Sequence, residues 1–231
     1  MTAFEEERKR LREKVWSFLD IKQGAKCLDV GIGHTAYSLN KLLELGLDVT
    51  SVDINLDVLN THKTNKAHFV QCNANQLPFE ENAFILSLAY FTFHEIAPAL
   101  HRAAISELYR VSKKIMVVEP AIGRDPLFRR YQKLWTVAMH SIDQYEDYKP
   151  MEYWHELLQK SGTRVLTSEK LSHTVPLCGN ECEEYMKGAA EEMREEGVSE
   201  EYVNRLLTLS QEITSQGMLF SDINIIVGHV K

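Results

Sequence analysis

The residues with the clearest chemical meaning are two acids, each closing an apolar segment, and a pair of glycines between them. The first segment ends in Asp29 and runs directly into Gly31 and Gly33, within the sequence KCLDVGIGHTAY. A second apolar segment, residues 47–54, contains Asp53, which follows Gly33 by twenty residues. Strand, glycine turn, helix, strand and acid in this order are typical of a βαβ unit that binds a nucleoside. We therefore predict a nucleoside cofactor site around these residues.

Asp29 is the residue that separates the possible cofactors. Gly31, Gly33 and Ala36 satisfy the pattern G-x-G-x-x-A, so a nicotinamide or flavin enzyme is an alternative. A carboxylate two residues before the first glycine would repel a pyrophosphate, however, and would suit S-adenosylmethionine, which carries a sulfonium, an ammonium and no phosphate. Asp53 can accept hydrogen bonds from the ribose of either cofactor and does not discriminate.

The spacing of apolar segments predicts the elements that position these residues. Helical and extended patterns alternate up to Pro120, which indicates a parallel sheet with helices on both faces. The fold class is therefore α/β: a Rossmann-like doubly wound sheet, mostly parallel, with a final antiparallel strand at 222–230 beside 164–171. We predict earlier strands at 26–30, 48–53, 67–72, 83–90 and 115–118, and helices at 35–45, 56–62 and 100–111.

Beyond Pro120 the alternation stops. Aromatic residues recur at helical spacing over 124–140, and an acidic helical insert spans about 181–216. Core packing explains most of these aromatics, and a lid over a substrate pocket is the functional alternative. We predict a single domain, 1–231, with an N-terminal helix (1–24), a cofactor-binding core (25–120), a lid or substrate segment (121–160) and terminal strands with the insert (161–231).

Composition limits the classes of partner. The chain has 231 residues, 44% of them hydrophobic, and a net charge of −7 without a long basic run, which argues against nucleic acid. The longest nearly unbroken apolar run, 83–93, is too short to cross a bilayer, so we expect a soluble, cytoplasmic protein with reduced cysteines. Cys178 and Cys182 lack a second cysteine pair, and His140, His155 and His173 are scattered, so we predict no metal site. The oligomeric state is not indicated.

Four segments in order resemble the class I S-adenosylmethionine-dependent methyltransferases, particularly the small-molecule branch that includes ubiquinone and menaquinone biosynthesis enzymes. The segments are LDVGIGHT, VTSVDIN, CNANQLPF and LSLAYFTFHEI, and the last is followed by a helix and the strand IMVVEP. The resemblance covers most of residues 25–120. The sequence departs from the family pattern at Thr35, which replaces a third glycine, and at Asn73, which replaces an aspartate. It departs again at Ile85, which replaces an aspartate early in the fourth strand, and at residues 112–114, which replace a Pro-Gly-Gly turn.

The resemblance implies roles for particular residues. S-adenosylmethionine would be the cofactor and S-adenosylhomocysteine the product, with Asp53 on the ribose and Asn73 at the adenine amino group. The full set of candidate cofactor contacts is Asp29, Gly31, Gly33, Thr35, Asp53, Ile54, Asn73, Ala74 and Tyr90.

His94 and Glu95 are the candidate catalytic residues, because they follow the fourth strand at the edge where parallel sheets bind ligands. A base would help if the acceptor is a neutral oxygen, nitrogen or acidic carbon. The structural alternatives are that His94 positions the loop and that Glu95 favours the start of the next helix. The expected function is methyl transfer to a small, partly apolar molecule. The alternatives are a NAD-dependent oxidoreductase and a non-catalytic methyltransferase-like binding protein.

Overall fold

The computed structural model describes residues 1–230, and a seven-stranded sheet forms its centre. The strand order across the sheet is β3-β2-β1-β4-β5-β7-β6. In chain order the strands are β1 (Lys26–Val30), β2 (Asp48–Asp53), β3 (Ala67–Gln71), β4 (Phe84–Tyr90), β5 (Ser112–Pro120), β6 (Arg164–Leu171) and β7 (Ile223–His229).

The pairing confirms the predicted fold class. Strands β1 to β5 pair in parallel, and β7 is inserted antiparallel between β5 and β6. The chain leaves β3 at one edge of the sheet and returns on the other side of β1 as β4. This reversal opens a crevice at the carboxyl ends of β1 and β4, where open α/β sheets bind ligands.

Eight α-helices surround the sheet among the described residues. They are α1 (Ala3–Trp16), α2 (Tyr37–Glu44), α3 (Leu56–Thr61), α4 (His101–Val111), α5 (Pro126–His140), α6 (Met151–Lys160), α7 (Gly179–Glu195) and α8 (Glu200–Gln216). The predicted acidic insert is thus a pair of helices, separated at Gly197, which has a φ of +85°. Helix α2 begins later than predicted because Ala36 is left-handed, with a φ of +44°.

The apolar core has separate parts on the sheet and above it. One cluster lies on the sheet face that α1 and α2 cover, and another on the face that α4 and α6 cover. A further cluster joins α5, α7 and α8, which we call the helical cap. Helix α1 connects two of these parts, because Phe4 belongs to the cap cluster while Leu11 and Val15 belong to a sheet cluster. Helix α1 is therefore fixed between cap and sheet.

Two further observations bear on sequence predictions. All four cysteines are free in the structure, as expected for reduced thiols. Within residues 1–230, none of the helices has the length and apolar character needed to cross a membrane.

Candidate functional site

A cleft with two adjoining lobes lies at the carboxyl ends of β1, β2 and β4. The first lobe has a volume of about 270 Å³ and the second about 380 Å³. Gly31, Asp53, Thr92 and Glu95 line both lobes, so the two form one continuous site. Volumes of this order are typical of pockets for small molecules and cofactors.

The glycine turn is needed because backbone and side chain approach closely there. Gly31 has a φ of +72°, and a Cβ at this position would overlap the Thr92 side chain. The Thr92 hydroxyl donates a hydrogen bond to the Val30 carbonyl at 2.8 Å, which ties the loop after β4 to the end of β1. Gly33 and Thr35 line the second lobe, and a Cβ at Gly33 would meet open space. Gly31 therefore shapes the wall between the two strands.

Asp29 is in a different place from the other candidate cofactor residues. Its side chain is fully buried under the turn, where Oδ2 accepts hydrogen bonds from the hydroxyls of Ser38 (3.1 Å) and Ser51 (3.4 Å). Its Oδ1 has no hydrogen-bond partner among the described residues. Burial raises the pKa of this carboxyl to about 7. Asp29 acts on the cleft from beneath rather than lining it.

Asp53 and Ile54 lie at the middle of the cleft. Asp53 lines both lobes, and its Oδ1 accepts a hydrogen bond from the backbone N–H of Asn55 at 2.9 Å. The carboxylate thus keeps one oxygen for a ligand while the other holds the turn. Ile54 lines the first lobe with its side chain largely exposed.

Asn73 and Ala74 line the first lobe, where the walls suit a flat ring. The Asn73 Oδ1 accepts a hydrogen bond from the Asn75 backbone N–H at 3.2 Å, which leaves its second lone pair and its amide hydrogens available. Ile96 and Leu100 complete an apolar wall of the same lobe.

Tyr90 lines the second lobe within a group of aromatic rings. It stacks on Trp16, with ring centroids 5.6 Å apart and planes at 11°. Its hydroxyl is buried without a hydrogen-bond partner in residues 1–230, and burial raises its pKa. Next to it, Arg12 of α1 lies over the Tyr37 ring, with its guanidinium carbon 5.2 Å from the ring centroid. The second lobe therefore combines aromatic walls with a cation.

His94 is held by a buried carboxylate at the end of β5. Glu119 is fully buried and accepts hydrogen bonds from the backbone N–H groups of Thr92 (2.9 Å), Phe93 (2.7 Å) and His94 (3.2 Å). It also lies 2.8 Å from the His94 Nδ1. Burial alone would lower the pKa of His94, but the carboxylates around it outweigh burial and raise the pKa to about 10. His94 is therefore an imidazolium at neutral pH, with Nδ1–H directed to Glu119.

The other ring nitrogen of His94 faces two more carboxylates. Its Nε2 lies 3.8 Å from an oxygen of Glu95 and 3.8 Å from an oxygen of Glu146. These three ligand atoms lie within 4.8 Å of one another, a spacing that could hold a divalent cation. The imidazolium already supplies a positive charge at this point, so the absence of a metal stays our prediction. Burial raises the pKa of Glu146 to about 7, against the opposing effect of His94.

A second cavity, of about 210 Å³, adjoins the second lobe; we call it the cap-side cavity. Phe91 and Arg12 line both spaces. Phe91 has a φ of +52° and donates its backbone N–H to the Val118 carbonyl at 2.7 Å, which fixes its ring between cleft and cavity. The cavity is lined by Arg8, Arg12, Phe91, His94, Pro120, Tyr148, His173, Tyr185, Phe220, Ser221 and Ile223.

The sequence prediction missed four charged residues of this region: Arg8, Arg12, Glu119 and Glu146. Glu119 could have been found, because it ends a buried strand at the same edge as Asp29. Arg8 and Arg12 are one helical turn apart on α1, a weaker signal. Glu146 lies in an irregular segment without any signal.

Part of the chain matches a known protein family. Residues 28–115, which contain the glycine turn, Asp53, Asn73 and His94, match the family model described as a methyltransferase domain. This match supports the predicted resemblance to the class I S-adenosylmethionine-dependent methyltransferases. The chain is 30% identical over 126 residues to the demethylmenaquinone methyltransferase of Paenarthrobacter aurescens, a match that covers 52% of the chain and 49% of the relative. The chain thus spans about half the length of the curated relatives it matches.

Solved structures share the fold over nearly the whole chain. The YcgJ protein of Bacillus subtilis aligns with a TM-score of 0.67 at 12% identity, covering 97% of this chain and 99% of that one. Phosphoethanolamine N-methyltransferase 2 of Haemonchus contortus, in complex with S-adenosyl-L-methionine, aligns with a TM-score of 0.60 at 18% identity, covering 96% and 52%. At sequence identities of 12% and 18%, the similarity to these two structures shows a shared fold and nothing about function.

Proposed function

We propose that this protein binds S-adenosylmethionine in the two-lobed cleft and transfers its methyl group to a small, partly apolar molecule in the cap-side cavity. The observation that carries the proposal is that eight of the nine predicted cofactor residues, all except the buried Asp29, line one continuous cleft, and that this cleft meets a second, aromatic cavity at Phe91 and Arg12. The P. aurescens relative is named for a partly apolar acceptor, demethylmenaquinone, which is of the same broad class.

The donors and acceptors in the cleft suit this cofactor. In the proposed arrangement Asn73 and Ala74 hold the adenine, and the free oxygen of Asp53 accepts from the ribose hydroxyls. Gly31, Gly33, Thr35 and Tyr90 surround the amino-acid end, with Ile54 at the rim. The negative field of Asp29 favours a cationic ligand over a pyrophosphate, which is why we prefer this cofactor to NAD.

Transfer requires orientation and removal of water more than acid–base chemistry. When bound, S-adenosylmethionine supplies a methyl carbon on a sulfonium sulfur; an acceptor lone pair forms the new bond, the carbon–sulfur bond breaks, and neutral S-adenosylhomocysteine remains. The protein's part is to hold the acceptor atom in line and to govern its proton. The helical cap and residues 121–160 would exclude water from this step.

His94 and Glu95 are our proposed catalytic residues, with their roles refined by the geometry. Because His94 is an imidazolium anchored on Glu119, it can donate Nε2–H to an acceptor oxyanion and stabilise it. Glu95, which is exposed in the cleft and has an oxygen 3.8 Å from Nε2, is positioned to take the proton that an acceptor hydroxyl gives up as the oxyanion forms. A neutral histidine base is therefore not required.

Calorimetric titration tests the cofactor assignment. We expect S-adenosylmethionine and S-adenosylhomocysteine to bind and NAD not to bind. In Asp53→Asn the amide oxygen can still accept from Asn55, but the position loses an acceptor for the ribose, so binding should weaken by about 1.5 to 3 kcal/mol. Asp57→Asn removes the same charge from a side chain outside the cleft and is the matched control. Binding of NAD alone, or equal affinity in Asp53→Asn and wild type, would refute the assignment.

Kinetics of His94→Gln test the catalytic assignment. We expect turnover to fall by roughly 100-fold or more while the affinity for S-adenosylmethionine changes little, because His94 does not line the cofactor cleft. Equal losses in turnover and cofactor affinity would instead show that His94 positions the loop.

A further inference from the structure

Two arginines in the cap-side cavity have no carboxylate to balance them. Of the arginines that the structure describes, Arg8, Arg12 and Arg110 are partly buried and the others are exposed. Arg110 pairs with Glu107 at 2.8 Å, whereas neither Arg8 nor Arg12 has a carboxylate within 4.0 Å in residues 1–230. Burial, followed by the neighbouring Arg12, lowers the pKa of Arg8. A desolvated, unpaired guanidinium is unfavourable, so an anionic ligand at this point would be bound strongly.

The rest of the cavity lining contains no carboxylate. His94 is a cationic group of the lining, but the Glu119 carboxylate behind it lies 2.8 Å from Nδ1, so the charge of His94 is paired while those of Arg8 and Arg12 are not. The nearby carboxylates Glu95 and Glu146 line the cleft and the groove next to it and do not line this cavity. Arg8 and Arg12 are therefore cationic groups of the lining without a carboxylate partner within 4.0 Å in residues 1–230.

The size and walls of the cavity limit the ligand further. A volume of about 210 Å³ is of the order that holds one six-membered ring with a small substituent, since a cavity of roughly 150 Å³ holds benzene. The Tyr148 ring stands edge-on to His94, with centroids 5.5 Å apart at 90°, and Tyr185 stands edge-on to Phe220 at 5.1 Å. Aromatic walls in this arrangement suit a flat ring.

We infer that the methyl acceptor is a one-ring aromatic carboxylic acid whose carboxylate is bound by Arg8. This inference rests on the proposed function, because it assigns the cap-side cavity to the acceptor. Arg8 then determines specificity for an anionic acceptor, and the tyrosine and phenylalanine rings hold its apolar body.

The carboxylate of the cofactor's own methionine group is the competing anion. Arg12 lines both the second lobe and the cavity, whereas Arg8 lines only the cavity. We therefore assign Arg12 to the boundary between the two ligands and Arg8 to the acceptor. The affinity of S-adenosylhomocysteine for an Arg8 variant distinguishes the two assignments.

The experiment is calorimetric titration of the S-adenosylhomocysteine complex with benzoate, 4-hydroxybenzoate and, as the uncharged analogue, benzamide. We expect at least one of the two acids to bind and benzamide to bind at least tenfold more weakly. Arg8→Gln should weaken binding of the acid by roughly 10- to 100-fold, and Arg8→Lys should weaken it less. Lys9→Gln, which removes one charge from an exposed neighbour on the same helix, should leave it unchanged.

Each part of the result has a distinct meaning. If S-adenosylhomocysteine does not bind wild type, the proposed function fails. If it binds but neither acid binds, or if benzamide binds as well as the acids, the inference fails while the proposed function stands. If Arg8→Gln weakens S-adenosylhomocysteine as much as the acid, the anion is the cofactor's carboxylate and the inference is overturned. Circular dichroism and the melting temperature should show that Arg8→Gln is folded, so that its affinity for the acid can be compared with that of wild type.

Discussion

The two-lobed cleft and the cap-side cavity are adjacent but are built in opposite ways. The cleft is made from turns that directly follow β1, β2, β3 and β4, and four short sequence segments supply nearly all of its lining. The cavity brings together α1, the loop after β4, the segment before α6, helix α7 and the approach to β7. A cleft at strand ends is thus lined by short, local sequence segments. A cavity between packed layers is lined by residues distant in sequence, and it depends on how those layers pack.

Substitution of Gly31 in the glycine turn should have the largest effect, because it should lower both the stability of the fold and the affinity of the cleft for its ligand. Gly31→Ala combines a left-handed backbone, which costs about 1 to 2 kcal/mol, with overlap against Thr92, which costs about 1 to 3 kcal/mol more. Gly33→Ala carries only the backbone cost, because a Cβ there meets open space. Urea unfolding should show the larger loss for Gly31→Ala, and calorimetry should show loss of S-adenosylmethionine binding. Equal losses in the two variants would contradict the close approach to Thr92.

Truncating the cap core should lower stability without altering the cleft. Leu206 is fully buried in α8, so Leu206→Ala should reduce the free energy of unfolding by about 2 to 5 kcal/mol. Leu207→Ala, at a neighbouring residue that is 36% exposed, should stay within about 0.5 kcal/mol of wild type. Below the unfolding transition, S-adenosylmethionine affinity should match wild type in both. A weaker cofactor affinity in Leu206→Ala would mean that cap and cleft are coupled.

His94 lines the cap-side cavity and is followed in sequence by Glu95, which lines the cleft. The charge of His94 should affect the pH dependence of stability. Its pKa in the folded state, about 10, is above its ordinary value of 6.5, so its stabilising effect is complete below pH 6.5 and is lost as the pH rises to about 10. The excess stability of wild type over His94→Gln should therefore shrink by more than about 1.4 kcal/mol across this range. His68→Gln, at an exposed position, is the control. A constant difference between wild type and His94→Gln would show that Glu119 does not hold an imidazolium.

The smallest expected effect concerns Asp29 beneath the cleft. Its pKa is raised to about 7, so the carboxyl is largely neutral below pH 7 and ionised above it. Affinity for cationic S-adenosylmethionine should therefore rise from pH 6 to pH 8, by less than about 1.4 kcal/mol. Asp29→Asn keeps an acceptor for the Ser38 and Ser51 hydroxyls and should remove the pH dependence. An identical pH profile in the variant would show that Asp29 only supports the turn.

The strands of the cofactor half could be predicted closely from sequence. β1 and β2 lie where the alternation of apolar segments places them, and so does the pairing of the last strand beside β6. These strands can be predicted from the sequence because a strand buried on both faces is a continuous apolar run bounded by turn residues. The burial of Asp29 could not be predicted from the sequence, because the direction of its side chain depends on the Ser38 and Ser51 hydroxyls packed against it.

The cap side was predicted only in part. Helical spacing over 124–140 and 181–216 is confirmed by α5, α7 and α8. The same spacing does not say which helices share a core, nor that Phe4 of α1 joins that core. Whether residues 121–160 cover a bound substrate stays a prediction.

By itself the sequence determined the order of strands and helices, the glycine turn and the acids that follow β1 and β2, because local periodicity and turn chemistry act over a few residues. Only the tertiary structure decided that Glu119 holds His94 and that Arg8 and Arg12 lack carboxylate partners. Electrostatic pairing depends on distance in space: His94 and Glu119 are 25 positions apart in the chain, and the cavity that Arg8 lines also includes Ile223. The lining of the cleft could therefore be predicted from the sequence, whereas the cap-side cavity arises only from the tertiary structure.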